Sequence, residues 1–549
     1  MTTTLDTPDL AVEQTPDQPA QQVTDQSPSS PVRDVAGYVP TALVERLLAQ
    51  VTARGGGEES TLAPFTGESL FTYPLASEAD VQDAFDRARA AQRAWAARPV
   101  RERAEIIGRI HHMALARQSE LIDLLQLESG RARYDAFLEL TAVAVYSRYA
   151  SRMAPKLLKR NARKGAIPGV TRASEFRHPK GVVGLVTAWN YPAVFASSDG
   201  FAALVSGNAV VHRPDTQTAL SALWVRSLAV EAGVPADVWQ IVLGAGRVIG
   251  TAIIDRADAV AFTGSTRAGR EVMARTGPRL VYTSLELGGK NSFIVLPDAD
   301  VDKAVDAVIR ACLVNAGQTC VGPERLVVAR EVYGQFRDAL VARISELKVA
   351  GEMSYGPDMG SLIDAKQLAT VTGHVDDAVA KGAVVLAGGR PLPEAGPFFY
   401  APTLLEGVTS EMDVYAEETF GPVLSLYPFD SIDEAVDLAN DTEYGLHAVV
   451  WSGSTRQAER LATRIKAGTV EVNDSIVATW ASADVLQGGM KASGMGRRNG
   501  REGILRFTDP QSVVVQRLHG MHPPKSMEKE AFAALTTRSF KMLHKLPRR

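Results

Sequence analysis

Apolar residues recur at helical spacing after a polar capping signal in the first quarter of the chain. The recurring positions are Val81, Ala84, Phe85, Ala88, Ala91 and Trp95. Ser77 precedes this run with Asp80 at the third helical position, and Arg98 and Pro99 follow it. This arrangement predicts that the first folded helix is capped by Ser77 and ends at Arg98. Further apolar faces predict more helices between about residues 101 and 155.

From Gly181 the pattern changes to short apolar segments that alternate with helical ones. The predicted strands are 181–190, 208–214, 238–244, 259–264 and 279–287. Such alternation predicts a parallel sheet with helices on both faces, the doubly wound α/β class. Ligands bind these sheets at the carboxyl ends of the strands, where the sequence places Asn190, Arg213, Gly264 and Glu286. We therefore expect the chemistry to converge on that edge.

A second alternating region extends from about residue 290 to residue 490. Its predicted strands are 292–297, 325–330, 384–389, 423–429, 447–453 and 468–473, with a helix at 432–440. A glycine-rich turn after Gly489, a short helix and a strand-like segment at 512–517 follow. This region predicts a second α/β domain.

Length and composition indicate an ordinary multidomain globular protein. The 549 residues suggest two or three domains, and 45% hydrophobic residues with a mean hydropathy of −0.05 are unremarkable. A net charge of −4 argues against a nucleic-acid partner. We expect no membrane span, because no apolar run reaches about eighteen residues, and no secretory signal, because the N-terminus has no basic region followed by an apolar core. Residues 1–36, rich in Thr, Gln, Ser and Pro, are predicted to be a disordered tail.

Two cysteines exclude a disulfide framework and favour a reducing compartment, with the cytoplasm as the expected location. Cys312 lies in the apolar run AVIRACLV and is predicted to be a small buried hydrophobe. Cys320 follows the polar break GQT, where a thiol can meet a ligand. A lone cysteine is more often inert packing, but Asn190 and Glu286 add an amide donor and a carboxylate base. The three groups, each expected at a strand end, predict a covalent site.

Seven segments of this chain occur in an order typical of one family. They are TAWNYP, NAVVHRP, AFTGST, LELGGK, NAGQTC, EETFGPV and GMKASGMGR. Together they resemble the signature of the aldehyde dehydrogenase superfamily over roughly residues 60 to 518, and most of all its NADP-preferring succinate-semialdehyde dehydrogenases. The resemblance implies an aldehyde dehydrogenase-like fold, with a doubly wound cofactor domain, a second α/β catalytic domain and a small β element for oligomerisation.

The resemblance also suggests domain boundaries. The expected parts are a nicotinamide-dinucleotide-binding domain at 37–155 and 178–288, a catalytic domain at 289–506, an oligomerisation β element at 156–177 and 507–518, and a basic helical extension at 519–549. The closing strand of such a fold extends a neighbouring subunit's sheet, which implies a homodimer or homotetramer.

The C-terminal extension can form one apolar helical face. Its members are Phe532, Leu535, Met542, Leu543 and Leu546. Packing on a neighbouring subunit or over the substrate tunnel is the preferred interpretation of this face. Weak peripheral contact with a membrane surface is the alternative.

The resemblance gives each candidate catalytic residue a role. Cys320 is expected to attack the aldehyde carbonyl, and the Asn190 amide and the Cys320 backbone N–H are expected to hold the resulting oxyanion. Glu286 is expected to deprotonate the water that hydrolyses the thioester. Because relatives that transfer the acyl group to coenzyme A usually lack this carboxylate, Glu286 favours a carboxylic acid product. The competing interpretation is that Glu286 only caps a turn.

The expected cofactor is a nicotinamide dinucleotide. The segment GAGRVIG is GxGxxxG rather than the dinucleotide fingerprint GxGxxG. The resemblance instead places the pyrophosphate near Gly264 and Ser265, at a helix N-terminus. Other expected contacts are Trp189, Arg213 and Gly246 at the adenosine end, and Glu418 and Phe420 at the nicotinamide ribose and ring.

The expected form of the cofactor is NADP, with NAD as the alternative. Thr216 stands where NAD-specific relatives carry a Glu that accepts the ribose hydroxyls. Its absence leaves room for a 2′-phosphate, with which Arg213 can pair. Asp215 opposes this assignment if its carboxylate points inward.

The expected substrate is succinate semialdehyde, although two arginines of such enzymes are missing. Val314 replaces the arginine six residues before the cysteine, and none follows the WNYP motif. Ile476 and Trp480 are expected to wall the substrate tunnel. An apolar aliphatic or aromatic aldehyde is therefore the alternative substrate, and a non-catalytic nucleotide-binding scaffold is the alternative from another class. No metal site is expected, since the nine histidines form no HExxH motif.

Overall fold

The computed structural model describes residues 37–165, 170–474, 481–517 and 522–544. The α-helices in this part of the chain are α1 (Thr41–Leu48), α2 (Glu78–Ala97), α3 (Val100–Ala116), α4 (Gln118–Ser129), α5 (Arg133–Leu157), α6 (Pro192–Val205), α7 (Ala219–Ala232), α8 (Thr251–Arg256), α9 (Thr266–Thr276), α10 (Val301–Cys312), α11 (Arg330–Ser345), α12 (Ala365–Ala380), α13 (Asp413–Ala416), α14 (Ile432–Asn440), α15 (Thr455–Ala462), α16 (Gly500–Leu505) and α17 (Lys529–His544).

The strands are β1 (Glu58–Leu62), β2 (Ser69–Pro74), β3 (Asn161–Arg163), β4 (Thr171–Pro179), β5 (Val182–Val186), β6 (Ala209–Arg213), β7 (Trp239–Ile241), β8 (Ala259–Thr263), β9 (Tyr282–Glu286), β10 (Asn291–Val295), β11 (Pro323–Ala329), β12 (Val384–Ala387), β13 (Thr403–Glu406), β14 (Val423–Phe429), β15 (His447–Trp451), β16 (Thr469–Val472), β17 (Gly494–Met495) and β18 (Thr508–Gln516). The predicted tail 1–36 lies outside the described residues.

The predicted capping of α2 is present in full. The Ser77 side chain accepts the Asp80 backbone N–H, the Asp80 carboxylate accepts the Ser77 backbone N–H, and Arg98 ends the helix. However, α2 is not the first helix, because α1 and the hairpin of β1 and β2 precede it. These elements give little signal in the sequence. Only Leu43 and Leu47 of α1 are buried, and β1 reads EESTL with one buried position.

The first large sheet has the strand order β7-β6-β5-β8-β9-β17, and β17 alone among its strands in the described chain pairs antiparallel. The chain proceeds from β5 outward to β7 and then crosses back to β8 on the other side. The strand order thus reverses between β5 and β8, which creates a crevice at their carboxyl ends. The predicted doubly wound sheet is confirmed, and all five residues of both β5 and β8 are buried.

The second large sheet has the order β12-β13-β14-β11-β10-β15-β16, parallel except for the β12–β13 pair. All its strands except β13, whose four residues follow a proline, were predicted from the sequence. Residues 287–290 connect β9 directly to β10. The carboxyl edge of the first sheet therefore leads into the amino edge of the second.

A third sheet joins distant parts of the chain in the order β18-β4-β3. Its antiparallel register runs from Thr508 opposite Pro179 to Gln516 opposite Thr171. A small β element is thus present, although α5 extends to Leu157 and β4 ends at Pro179, which shifts the sheet relative to the predicted 156–177. The domain boundaries themselves stay predictions.

The C-terminal extension forms α17, with Leu535 and Met542 exposed and Phe532 half-buried. The Leu543 side chain and Leu546 lie outside what the structure describes. No helix in the described part of the chain is long and apolar enough to cross a membrane.

Candidate active site

Cys320 lies in a loop with an unusual backbone. Asn315, Ala316 and Gly317 have φ values of 54°, 53° and 74°, three consecutive left-handed residues. A β-carbon on Gly317 would come within 2.1 Å of the Gly421 carbonyl oxygen, so the loop packs directly against the segment that precedes β14. Conformations of this kind persist only where the surroundings hold them, and they cluster at functional sites.

The position of Cys320 differs from the expectation that all three catalytic candidates lie at similar strand ends. Asn190 follows β5 and Glu286 ends β9, but Cys320 precedes β11, at the amino edge of the second sheet. Since the connection from β9 to β10 brings the two edges together, the site forms between the sheets rather than on one of them.

Two buried amide side chains hold the Cys320 loop. Gln318 donates from Nε2 to the Asn315 carbonyl oxygen at 2.9 Å and accepts at Oε1 from the Ile363 N–H at 2.9 Å. Asn291 donates from Nδ2 to the Cys320 carbonyl oxygen at 2.8 Å. These bonds fix the backbone on both sides of the sulfur. Sequence reasoning missed both residues, although Gln318 is part of the motif NAGQTC.

Asn190 reaches the same loop from β5. Its Nδ2 donates to the Gln318 carbonyl oxygen at 3.1 Å, two residues before Cys320. The hydroxyl of the next residue, Tyr191, lies 2.8 Å from the Thr319 hydroxyl. One N–H of the Asn190 amide is used in this bond, which leaves the other to meet a ligand oxygen beside Cys320.

Glu286 is a buried carboxyl group at the end of β9. Its Oε1 has no hydrogen-bond partner among the described residues. Burial raises its pKa to about 7, and the nearby charges of Arg498 and Arg506 oppose that rise. Gly488, with φ of 151°, leaves room beside it, because a β-carbon there would lie 3.2 Å from Oε1. Glu286 is therefore free to exchange a proton near neutral pH.

The thiol of Cys320 needs such a base. Burial, together with the charges of Glu418 and Glu286, raises its pKa to about 12, and the charge of Arg498 opposes that rise. The sulfur is consequently protonated at neutral pH and must lose its proton to become a nucleophile. Cys312, by contrast, is buried at the end of α10, which agrees with the predicted packing role.

At the carboxyl edge of the first sheet, Arg213 ends β6. Its Nε donates to the Gly244 carbonyl oxygen at 2.9 Å, and its Nη1 lies 3.2 Å from Asp215 Oδ2. The other oxygen of Asp215 accepts the Gln217 N–H at 3.2 Å and caps the short 3-10 helix that begins at buried Thr216. One oxygen of Asp215 thus faces the Arg213 guanidinium, which is the orientation in which it was predicted to oppose a 2′-phosphate.

Gly246 and Gly264 have no side chains to fill the carboxyl edge of the first sheet. A β-carbon on Gly246 would come within 3.9 Å of the Arg213 guanidinium, and one on Gly264 would meet the Phe262 ring at 2.7 Å. Ser265 caps α9 by accepting the Ala268 N–H at 3.4 Å. Residues 246–250 form a π-helix, consistent with GAGRVIG not being a dinucleotide fingerprint.

Glu418 and Phe420 lie in the segment that precedes β14, against which the Cys320 loop packs. Glu418 Oε1 accepts the Gly289 N–H at 2.9 Å, and burial, with the charge of Glu324, raises its pKa to about 8. Phe420 has φ of 54°, and its ring meets the Trp189 ring edge-to-face at 5.5 Å. Trp189, expected near the adenosine end, is therefore directly beside the residue expected at the nicotinamide.

The Glu418 segment is held by an ion pair that sequence reasoning missed. Lys290 Nζ lies 2.5 Å from Glu324 Oε2, and both side chains are buried. Glu324 also accepts the N–H groups of Thr419 at 3.0 Å and Phe420 at 2.8 Å. This support explains how Phe420 keeps its strained backbone. Pairs separated by 34 residues carry no local sequence signal.

These residues fit a nicotinamide dinucleotide. The α9 N-terminus offers backbone N–H groups, Gly246 places no side chain against the Arg213 guanidinium, and the carboxyl group of Glu418 can meet ribose hydroxyls. No group of three or more metal-ligating side chains occurs in the described parts of the chain.

Comparison with known proteins identifies this arrangement. The family model described as "Aldehyde dehydrogenase family" matches residues 51–513. The chain belongs to the aldehyde dehydrogenase family. It is 45% identical over 485 residues to a protein of Mycolicibacterium smegmatis named "Putative succinate-semialdehyde dehydrogenase" with NADP(+), covering 88% of this chain and 94% of that protein. It is 34% identical to the Escherichia coli NADP(+) succinate-semialdehyde dehydrogenase GabD, over 84% of this chain and 95% of that protein.

Solved structures agree with this aldehyde dehydrogenase assignment. Succinate-semialdehyde dehydrogenase from Burkholderia pseudomallei matches with a TM-score of 0.81 and 35% identity, over 85% of this chain and 96% of that one. The NAD+ complex of aldehyde dehydrogenase from Bacillus cereus matches with a TM-score of 0.82 and 33% identity, over 86% and 98%. The predicted family and the predicted α/β fold are confirmed.

The substrate end of this aldehyde dehydrogenase is only partly described. Val314 is buried at the start of the short helix before the Cys320 loop. Ile476 and Trp480, predicted to wall the tunnel, lie outside the described residues. Their role stays a prediction.

Proposed function

We propose that this aldehyde dehydrogenase oxidises succinate semialdehyde to succinate with NADP, through a thioester on Cys320. The observation that supports the reaction is that Asn190 donates to the Gln318 carbonyl oxygen in the Cys320 loop, while the charge of Glu286 acts on the Cys320 thiol. The names of the Mycolicibacterium and Escherichia coli relatives support the substrate and the cofactor.

The first step forms the bond between enzyme and substrate. Glu286 takes the proton of the Cys320 thiol, directly or through water, and the sulfur attacks the aldehyde carbon. The carbonyl π pair moves to oxygen, where the Asn190 amide and the Cys320 N–H stabilise the negative charge. The bound nicotinamide supplies the acceptor for the hydride that then leaves this carbon, and a thioester remains.

The second step releases the acid. Glu286, after passing its first proton to solvent, takes a proton from a water molecule that attacks the thioester carbon. The oxyanion is held by the same two donors. The C–S bond then breaks, the sulfur is reprotonated, and the carboxylic acid departs. A pKa near 7 suits Glu286 to both proton transfers, since it can accept and give up a proton at neutral pH.

The preference for NADP rests on the neighbourhood of Arg213. Thr216 carries no charge, and among the described residues the guanidinium of Arg213 pairs with a single carboxylate, that of Asp215, at 3.2 Å. A 2′-phosphate can therefore approach it. NAD is the alternative if Asp215 holds Arg213 too firmly.

Replacing Thr216 by Glu is expected to reverse this preference. The new carboxylate would repel a 2′-phosphate and accept the ribose hydroxyls of NAD, shifting the ratio of kcat/KM for NADP over NAD by about ten- to a hundredfold. Initial rates with both cofactors measure the shift. Thr216→Val is the control, since it removes the hydroxyl without adding charge. An unchanged ratio in Thr216→Glu would place the cofactor phosphate elsewhere.

An apolar aldehyde is the second candidate substrate, favoured by Val314 at the position where an arginine was expected. Initial rates with succinate semialdehyde, hexanal and benzaldehyde separate the two. Higher kcat/KM for succinate semialdehyde supports the main proposal. In that case Val314→Arg is expected to leave the order of kcat/KM among the three aldehydes unchanged. Higher kcat/KM for hexanal assigns the enzyme to apolar aldehydes.

We further propose a homodimer or homotetramer joined through the third sheet. Val514 on β18 is 63% exposed, between two other exposed valines. An apolar strand of this kind is covered in a stable protein, here by a second copy. The proposed location is the cytoplasm, where the Cys320 thiol stays reduced.

A further inference from the structure

The oxyanion donor Asn190 is held through its own backbone by a buried arginine. Arg131 lies between α4 and α5, directly after Gly130, whose φ of 70° turns the chain inward. The Arg131 side chain is 0% exposed. Its Nη2 donates to the Asn190 carbonyl oxygen at 2.6 Å, and its Nε donates to Ser129 Oγ at 2.6 Å. The guanidinium also stacks 5.1 Å from the centre of the Tyr191 ring.

The third contact of Arg131 links it to the next helix. Its Nη1 pairs with Glu139, which is equally buried. The other oxygen of Glu139 accepts the N–H groups of Ala193 at 2.7 Å and Val194 at 3.1 Å, in the first turn of α6. The backbone is therefore held on both sides of the Asn190 side chain. The Asn190 carbonyl oxygen accepts from Arg131, and the helix that follows donates to Glu139.

The same cluster holds the Cys320 loop. Asp135, in the first turn of α5, accepts the Asn315 N–H at 2.9 Å. The Asn315 side chain donates to the Asn190 carbonyl oxygen at 3.2 Å. That carbonyl thus receives one hydrogen bond from Arg131 and one from the loop that carries the thiol.

Stability alone does not explain so much buried charge. Removing two charges from water costs several kcal/mol for each ion, and a well-packed apolar pair of similar volume often stabilises a protein as much or more. The ion pair instead fixes the relative orientation of the groups around it. The planar guanidinium donates in fixed directions to Asn190, Glu139 and Ser129 at once.

We propose that Arg131 is a positioning residue that sets the direction of the Asn190 amide relative to the Cys320 sulfur. The proposal rests on the function proposed above, since it requires Asn190 to hold the oxyanion. It adds that the catalytic geometry depends on a residue that touches neither substrate nor cofactor.

Arg131→Met tests this proposal against Arg103→Met. Arg103 is a matched control, because it is also buried and donates to the backbone carbonyls of Val205 and Ala96, each at 3.1 Å, away from the site. Both variants are expected to lower the Tm. Only Arg131→Met is expected to slow hydride transfer in the first turnover, by about ten- to a hundredfold, the cost of a misplacement of about 1 Å. Binding of the cofactor is expected to stay unchanged in both.

A double-mutant cycle with Asn190→Ala decides the mechanism. If Arg131 acts through the Asn190 amide, Arg131→Met has little further effect once that amide is gone. Equal slowing by Arg131→Met in both backgrounds overturns the positioning role and leaves the proposed function intact. Wild-type rates in Asn190→Ala overturn the oxyanion role of Asn190 and the positioning role of Arg131, and leave the thioester reaction on Cys320 intact. Arg131→Lys, which keeps one donor, is expected to recover part of the rate.

Discussion

Replacing Cys320 by alanine is expected to abolish aldehyde oxidation. The thiol is the proposed nucleophile, and removal of a covalent nucleophile typically costs about a millionfold in kcat. The measurement is the initial rate of reduced cofactor formation with saturating aldehyde. The cofactor itself should still bind, because its expected contacts lie on other segments.

Cys312→Ala is the matched control for this prediction. Cys312 is buried in α10, eight positions before Cys320 in the sequence, and packs in the core. Its loss removes one sulfur atom from the core, so a small decrease in stability with nearly full activity is expected. A Cys320→Ala variant that oxidised aldehydes at the wild-type rate would refute the covalent mechanism.

Replacing Glu286 by glutamine is expected to lower kcat by about two to four orders of magnitude, the usual contribution of a general base. The amide has nearly the same shape but cannot take a proton from Cys320 or from water. Raising the pH is expected to restore only the first turnover, because hydroxide can deprotonate the thiol, whose pKa is raised to about 12. Steady turnover should stay slow, since the thioester still lacks a base to activate water.

The pH profile provides the corresponding wild-type test. Glu286 works as the carboxylate, so kcat/KM is expected to fall as the pH drops through about 7, the value to which burial raises its pKa. An ordinary surface glutamate would lose its activity only near pH 4, about its unperturbed pKa. The inflection near 7 is expected to disappear in Glu286→Gln. Its persistence there would assign it to another group.

The parts of this fold that were predictable from the sequence are those with strong local patterns. The capping box of α2 involves residues three positions apart, and most strands of both large sheets are short apolar runs, of five residues in β5 and seven in β11. By contrast, α1 buries only two leucines, and β1 is polar because most of its positions are exposed. The periodicity of apolar residues reflects which positions are buried, so an element with few buried residues shows little periodicity in the sequence.

The catalytic residues were predictable because their motifs are contiguous, but their supports were not. Arg131 and Asn190 are 59 positions apart, and Lys290 and Glu324 are 34 apart. Such contacts follow from the packing of whole elements and carry no local pattern. The left-handed backbone was not predictable at Ala316, because alanine rarely adopts this conformation, and asparagine at position 315 indicates it only weakly.

The most direct test of the covalent mechanism is the intact mass of Glu286→Gln after mixing with NADP and succinate semialdehyde at alkaline pH. The mechanism predicts that one succinyl group accumulates on the protein, that peptide mapping places it on Cys320, and that Cys320→Ala shows no adduct. Formation of reduced cofactor without any acyl adduct, or with the adduct on another residue, would contradict the central claim.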